Sequence, residues 1–324
     1  IPVGVLLHPR HHQLLIQGAA VDADAHRLAA IGGHAADGGE LLVAPRAGAD
    51  VARVDAVLVE RRGAFWFARL NRPDKRNALS EPLMGDLLAL CDRVEADADA
   101  RALVLWGAGG SFCAGADFGG FLELMAAPAP AGPDPIIAHN RKFGTLLERL
   151  AALPVPTLGV IRGAAMGGGV GLASVLDRVI ATDDAVYSMP EVTLGVAPAQ
   201  IAPFVARRIG ATRARWHMLA SARLDANTAR ADGFVDVVVP LTDLQSTVAA
   251  ELGLLALTEP AALRATKQLT LRNLDAPLTA ALDAAAEDFA VLLRAGSARE
   301  GIAASRERRR PAWHTEVPAL PEFD

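Results

Sequence analysis

A glycine-rich turn between Val160 and Leu172 is the stretch of this sequence best suited to chemistry. An apolar, β-branched run ends at Arg162, a cluster of glycines follows, and an apolar helical pattern begins at Leu172. A strand that turns into a helix leaves the first N–H groups of the helix without intrahelical partners, and glycine lets a ligand approach that backbone closely. The turn is therefore predicted to hold a developing negative charge. Its glycines are Gly163, Gly167, Gly168, Gly169 and Gly171.

Two further turns follow predicted strands and could complete such a site. Residues 111–118 form a second glycine turn, at Gly115, which follows an apolar run. The polar turn that begins at Asn71 carries three positive charges, from Arg72, Lys75 and Arg76. A positively charged turn is suited to an anionic ligand, although a solvated surface loop has the same composition.

The elements that position these turns alternate between strands and helices. Apolar runs at Asp55–Arg61 and Ala64–Leu70 predict a hairpin, and Ser80 with Pro82 predicts a helix start. The apolar run Ala102–Trp106 predicts the next, parallel strand. A strand, a helix and a strand at this spacing form a right-handed βαβ unit, so the sequence predicts an α/β fold.

Composition excludes several other classes of protein. The 324 residues are 52% hydrophobic and carry a net charge of −5, which predicts a packed core and argues against nucleic-acid binding. No apolar run is long enough for a membrane span, and two cysteines without metal-ligand spacing favour a cytoplasmic location. Residues 1–54 hold five of the eight histidines, including His8, His11 and His12, but lack matching ligands. They are predicted to be an irregular extension rather than a metal site.

Four motifs, in order and at matching spacing, make the chain resemble the crotonase, or enoyl-CoA hydratase/isomerase, superfamily. They are LNRPDKRNALS (Leu70–Ser80), FCAGADF (Phe112–Phe118), GAAMGGGVGL (Gly163–Leu172) and MPEVTLG (Met189–Gly195). Two C-terminal pieces, Glu259–Leu269 and Ala298–Trp313, look like the ending of that family.

The resemblance covers residues 55–313 and implies an α/β, ClpP-like crotonase spiral of ββα units. It divides the chain into the extension 1–54, the spiral core 55–250, a C-terminal helical region 251–313 and a tail 314–324. The helical region is expected to support a homotrimer or a dimer of trimers.

The resemblance also implies an acyl-CoA thioester as the substrate, with coenzyme A as part of it and no separate cofactor or metal. Two backbone N–H groups, of Ala116 and Gly168, would hold the thioester enolate, and Glu191 would act as the acid/base. Further residues are expected to line the substrate and CoA site. They are Lys75, Arg76, Asn77, Ala78, Ala114, Gly115, Asp117, Gly167, Gln200, Lys267 and Phe289.

One position departs from the family pattern. Hydratases of this family carry a second glutamate three residues after the oxyanion glycine, and here that position is Gly171. Three hypotheses remain open. The run Ala197–Phe204 resembles the isohexenylglutaconyl-CoA hydratase branch, which predicts hydration of a branched enoyl-CoA. A single glutamate also suits a Δ3–Δ2 enoyl-CoA isomerase, and a CoA-binding scaffold without catalysis would need neither glutamate.

Overall fold

A computed structural model describes residues 55–324, apart from 118, 120–121, 123–125, 127–131 and 273–275. The predicted N-terminal extension therefore lies outside the described residues. The strands are β1 (Val57–Arg62), β2 (Phe65–Leu70), β3 (Ala102–Gly107), β4 (Thr157–Ile161), β5 (Ala164–Met166), β6 (Arg178–Thr182), β7 (Val186–Ser188), β8 (Leu224–Asp225) and β9 (Val237–Val239).

The helices of the described residues lie between and after these strands. They are α1 (Glu81–Ala96), α2 (Pro135–Ala152), α3 (Gly168–Ser174), α4 (Ala202–Ile209), α5 (Ala211–Ala220), α6 (Ala226–Asp232), α7 (Leu244–Ala256), α8 (Pro260–Arg272), α9 (Leu278–Arg294) and α10 (Ser297–Glu307). The predicted start of α1 is confirmed, because the Ser80 Oγ accepts a hydrogen bond from the Leu83 N–H at 3.4 Å.

Two sheets organise the fold. The larger sheet has the order β1-β2-β3-β4-β6-β9, in which β1 and β2 form the predicted antiparallel hairpin and the other neighbours are parallel. The smaller sheet has the order β5-β7-β8. The chain passes from β4 of the first sheet to β5 of the second at Arg162 and Gly163, which is where the glycine-rich turn begins.

The larger sheet is buried on both faces. Side chains alternate along a strand, so Trp66, Ala68 and Leu70 of β2 join the core that contains α1 and α2. Phe65 and Phe67 join a second core on the opposite face, which contains α7. The domain boundary predicted at residue 250 falls inside α7. This helix packs on the sheet and belongs to the second core.

The C-terminal tail, residues 314–324, forms no helix or strand but is part of this second core. Phe323 is 5% exposed, and its ring meets the edge of Trp106 at a centroid distance of 5.2 Å. The Phe323 carbonyl accepts a hydrogen bond from Arg162 Nη1 at 2.8 Å, and Gln245 Nε2 donates to the Pro321 carbonyl at 2.8 Å. The tail has no regular secondary structure, yet it covers this face of the sheet.

Candidate active site

The two predicted oxyanion donors lie on adjacent loops. The Leu79 N–H donates to the Gly115 carbonyl at 2.8 Å, and the Asp117 N–H donates to the Leu79 carbonyl at 2.9 Å. The Ala116 N–H, between these two residues, therefore points away from Leu79. Gly168 is the first residue of α3, so its N–H has no intrahelical carbonyl to bond. Two amides in this position can stabilise one negatively charged oxygen.

The two loops are held together by backbone hydrogen bonds and by a glycine. The Cys113 N–H donates to the Ala164 carbonyl at 3.0 Å, and the Met166 N–H donates to the Cys113 carbonyl at 2.9 Å. Gly115 has φ of +92°, and a Cβ there would lie 2.9 Å from the Met166 oxygen and 3.7 Å from the Gly168 nitrogen. Only glycine permits this approach without strain.

Glu191 reaches the same place through the smaller sheet. Strands β5 and β7 are parallel, with Met166 opposite Ser188, so the residues that follow them meet at one edge. The Gly167 N–H donates to the Ser188 carbonyl at 2.8 Å. Glu191 begins a short 3-10 turn after β7, and its Oε1 lies 2.8 Å from where a Cβ of Gly167 would stand. The carboxyl group is therefore beside the oxyanion donor Gly168.

The environment of Glu191 suits proton transfer. Its Oε2 is buried and has no hydrogen-bond partner among the residues that the structure describes. Burial disfavours the charged form and raises the pKa of the Glu191 carboxyl above its ordinary value. A carboxyl with a raised pKa can both accept and return a proton.

The position of the family's second glutamate is occupied by an apolar contact. A Cβ on Gly171 would lie 2.3 Å from Ile201 Cγ2 and 3.6 Å from Leu147 Cδ1. Ile201 is 3% exposed, so it fills the space into which a side chain at residue 171 would project. Any side chain at this position requires Ile201 to move.

Gln200, the residue before Ile201, is held against helix α2. Its Nε2 donates to Asn140 Oδ1 at 2.7 Å, and its Oε1 lies 2.0 Å from where a Cβ of Gly144 would stand. Sequence reasoning named Gln200 but missed Asn140 and Gly144. Gly144 itself is the signal that could have identified this contact. A glycine inside a helical pattern lowers helix stability, so it indicates a close packing contact at that position.

The predicted CoA loop is built on a buried asparagine. The Asn77 Oδ1 accepts from the Arg72 N–H at 2.9 Å, and its Nδ2 donates to the carbonyls of Ala108 and Ser111 at 2.9 and 2.7 Å. This side chain therefore holds loops together, and it is not free to contact a ligand. Lys75 and Arg76 are exposed, as a phosphate-binding role requires.

Two other predicted site residues also form structural contacts. Asp117 accepts a hydrogen bond from Arg72 Nη2 at 3.0 Å, and this contact lowers the pKa of the Asp117 carboxyl. Arg72 Nη1 donates to the Ala78 carbonyl at 2.6 Å, so the pair ties the two loops together. Asp117 thus links its own loop to the loop that begins at Asn71, and its place in the substrate site stays a prediction.

Lys267, another predicted site residue, is buried and bonded to the core. The side chain is 8% exposed, and its Nζ donates to the Val155 carbonyl at 2.9 Å and to Asp177 Oδ2 at 2.6 Å. Burial lowers the pKa of the ammonium group, and Asp177 opposes that shift. These bonds hold α8 against the core, and a role of Lys267 in CoA binding stays a prediction. Phe289, on α9, is 66% exposed, and its role in CoA binding stays a prediction.

Comparisons with known proteins show the family and the fold. The family model described as enoyl-CoA hydratase/isomerase matches residues 60–316. The chain is similar to a crystal structure of an enoyl-CoA hydratase/isomerase from Marinobacter aquaeolei, with a TM-score of 0.78 and 38% identity over 81% of this chain and 100% of that one. It is also similar to AtuE of Pseudomonas aeruginosa, with a TM-score of 0.77 and 40% identity over 80% of this chain and 100% of that one. The "probable enoyl-CoA hydratase echA8" of Mycobacterium bovis is 30% identical over 260 residues, which are 80% of this chain and 98% of the relative.

This chain belongs to the enoyl-CoA hydratase/isomerase family and has the crotonase fold, as its motifs predicted. Within the part of the chain that the structure describes, no cluster of histidine, cysteine, aspartate or glutamate is arranged to hold a metal ion. Over the same residues, no helix combines the length and apolar character that a membrane span requires.

Proposed function

We propose that this protein hydrates a 2-enoyl-CoA thioester, with one carboxyl group moving the proton. The observation that carries this proposal is the Glu191 carboxyl beside the amide pair of Ala116 and Gly168, with its Oε2 buried and without a hydrogen-bond partner among the described residues. An enolate needs donors aimed at its oxygen and a base near its α-carbon, and these three groups supply both.

The chemistry balances with a single carboxylate. Glu191 takes a proton from water as the water oxygen bonds to the β-carbon of the thioester. The electron pair of the carbon–carbon double bond moves onto the thioester oxygen, which Ala116 and Gly168 hold as an enolate. The enolate then collapses, and its α-carbon takes the proton from Glu191, which returns to the carboxylate form. The product is a 3-hydroxyacyl-CoA.

For the acyl group, we propose a branched substrate of the isohexenylglutaconyl type. The run Ala197–Phe204, which resembles that branch of the family, supports this choice. The segment contains Gln200 and Ile201, so it also forms the wall beside Gly171. For the CoA part, the exposed side chains of Lys75 and Arg76 support an electrostatic contact with the phosphates.

The test uses purified protein with crotonyl-CoA and with isohexenylglutaconyl-CoA, and follows loss of the conjugated thioester absorbance. Wild type should form the 3-hydroxyacyl product. Glu191→Gln keeps the shape and should lower kcat by about 10²–10⁴-fold, the usual contribution of a general acid/base. Binding of CoA, measured by calorimetry, should be unchanged. Turnover that survives Glu191→Gln would contradict the assignment of the proton to this residue.

A second candidate function, isomerisation of a 3-enoyl-CoA to the 2-enoyl isomer, is favoured by the Ile201 contact. With an isoleucine in the place of the second glutamate, one carboxyl can still remove an α-proton and return it to the γ-carbon. Incubation with a 3-enoyl-CoA distinguishes the cases, because an isomerase produces the conjugated thioester and does not hydrate it further. Absence of both reactions would favour a CoA-binding scaffold.

A further inference from the structure

Two glycines in two different helices accept two consecutive side chains of one segment. Gly144 in α2 makes room for the Gln200 carboxamide, with 2.0 Å between Oε1 and the position of a Cβ. Gly171 in α3 makes room for Ile201, with 2.3 Å between Cγ2 and the position of a Cβ. Glycine is unfavourable inside a helix, so two such positions indicate that the seating of these side chains matters.

The seat of Gln200 borders the oxyanion site. On α2, residues three and four apart share one face, and Asn140, Phe143, Gly144 and Leu147 have this spacing. The Phe143 ring lies 3.3 Å from where a Cβ of Gly168 would stand, and Leu147 faces Gly171. The hydrogen bond between Asn140 and Gln200 therefore lies one turn of α2 from Phe143, the residue that contacts the predicted oxyanion donor Gly168.

The carboxamide has hydrogen-bonding capacity left for a small polar ligand. Among the described residues, one N–H of Gln200 is bonded to Asn140, and its second N–H and its Oε1 have no hydrogen-bond partner. A water molecule can accept a hydrogen bond from this N–H and donate one to Oε1. A carboxamide does not take up a proton near neutral pH, so it can hold a water molecule but leaves deprotonation to Glu191.

We infer that Gln200, fixed by Asn140 and seated on Gly144, binds the water that attacks the β-carbon, in the role left open by Gly171. This inference rests on the hydration proposed above. Gln200 is then a water-binding residue, and Asn140 and Gly144 are positioning residues that act through it.

The test compares two reactions of the same site. Hydration of crotonyl-CoA needs the attacking water, whereas exchange of the α-protons of butyryl-CoA in D₂O needs only Glu191 and the oxyanion donors. Gln200→Ala should slow hydration by about 100-fold, the scale expected when a reactant loses its position. The exchange rate, measured by mass spectrometry, should stay unchanged. A loss caused by a damaged fold would lower both reactions.

Gly144→Ala provides a second variant that leaves the carboxamide in the chain. The added Cβ must displace Gln200, while alanine is a better helix former than glycine, so hydration should fall without loss of thermal stability. The double variant Gln200→Ala with Gly144→Ala should be no slower than Gln200→Ala alone. Gly85→Ala in α1 is the matched control, because a Cβ there meets no atom within 4 Å.

The outcomes separate this inference from the proposed function. If wild type hydrates and the Gln200→Ala and Gly144→Ala variants hydrate equally well, or lose hydration and exchange to the same extent with unchanged thermal stability, Gln200 does not bind the water. If wild type exchanges α-protons but hydrates none of the 2-enoyl-CoA substrates, the proposed function itself is wrong and the inference falls with it.

Discussion

At the scale of residues, one of the two glutamate positions of the family holds Glu191. The other holds Gly171, which packs against Ile201. Glu191 is partly buried beside Gly168, a predicted oxyanion donor, and burial raises the pKa of its carboxyl. Gly171 is also buried, but the space it leaves is filled by Ile201. The missing glutamate is therefore part of a packed arrangement, and restoring a side chain at residue 171 cannot be a local change.

This packing predicts the effect of adding one methyl group. Gly171→Ala puts a Cβ 2.3 Å from Ile201 Cγ2, so it should lower the free energy of unfolding by about 1–3 kcal/mol, the usual cost of overpacking. Ile201→Ala should cost about 2–5 kcal/mol by leaving a cavity. The double variant should cost less than the sum, because the alanine at residue 171 then enters the space that Ile201 vacates. Urea denaturation measures all three.

Additive costs would contradict the direct contact between residues 171 and 201. Gly253→Ala is a suitable control for the general effect of alanine in a helix, since a Cβ there meets no atom within 4 Å. That variant should be as stable as wild type or slightly more stable.

The sequence predicted the backbone part of the site better than its side-chain part. Ala116 and Gly168 could be named because the resemblance to the family motifs implies them, and each lies at a fixed place within a local turn or helix start. The contact between Gly171 and Ile201 joins residues thirty positions apart and depends on packing, so no local pattern shows it. The bond between Lys267 and Asp177 is likewise visible only in the folded chain.

At the scale of elements, parallel strands and the tail position the site from two sides. Strands β5 and β7 bring Gly167 and Glu191 to one edge, as their register requires. On the opposite face of the larger sheet, the tail packs Phe323 against Trp106 and bonds to Arg162. Because Arg162 directly follows β4, the tail supports the end of this strand, from which the chain continues to Gly168.

Removal of the Phe323 ring should therefore destabilise the fold. Phe323→Ala should lower the free energy of unfolding by about 3–5 kcal/mol, the usual range for a buried phenylalanine. Phe323→Leu, which keeps most of the volume, should cost less than about 1.5 kcal/mol. Thermal and urea unfolding measure both variants. Equal stability of Phe323→Ala and wild type would show that the tail does not pack on the sheet in solution.

At the scale of the whole molecule, the C-terminal helical region presents an apolar stripe to solvent. Leu278, Leu282, Phe289 and Leu293 recur on α9 at helical spacing, and each is more than half exposed. On a monomer, such a stripe exposes apolar surface to water, which is typical of an interface. It lies in the region where the family resemblance predicts contacts between subunits, so the stripe is a specific candidate for the trimer surface.

We therefore expect the protein to assemble through α9. Light scattering coupled to gel filtration should give three or six times the chain mass of 33.8 kDa. Leu282→Asp together with Phe289→Asp places charges on the stripe, and burying unpaired charges is unfavourable, so this variant should dissociate to monomers with unchanged circular dichroism. Leu241→Asp is the control, because Leu241 is also exposed but lies outside α9. A monomeric wild type, or a charged variant that still assembles, would show that α9 does not form the interface.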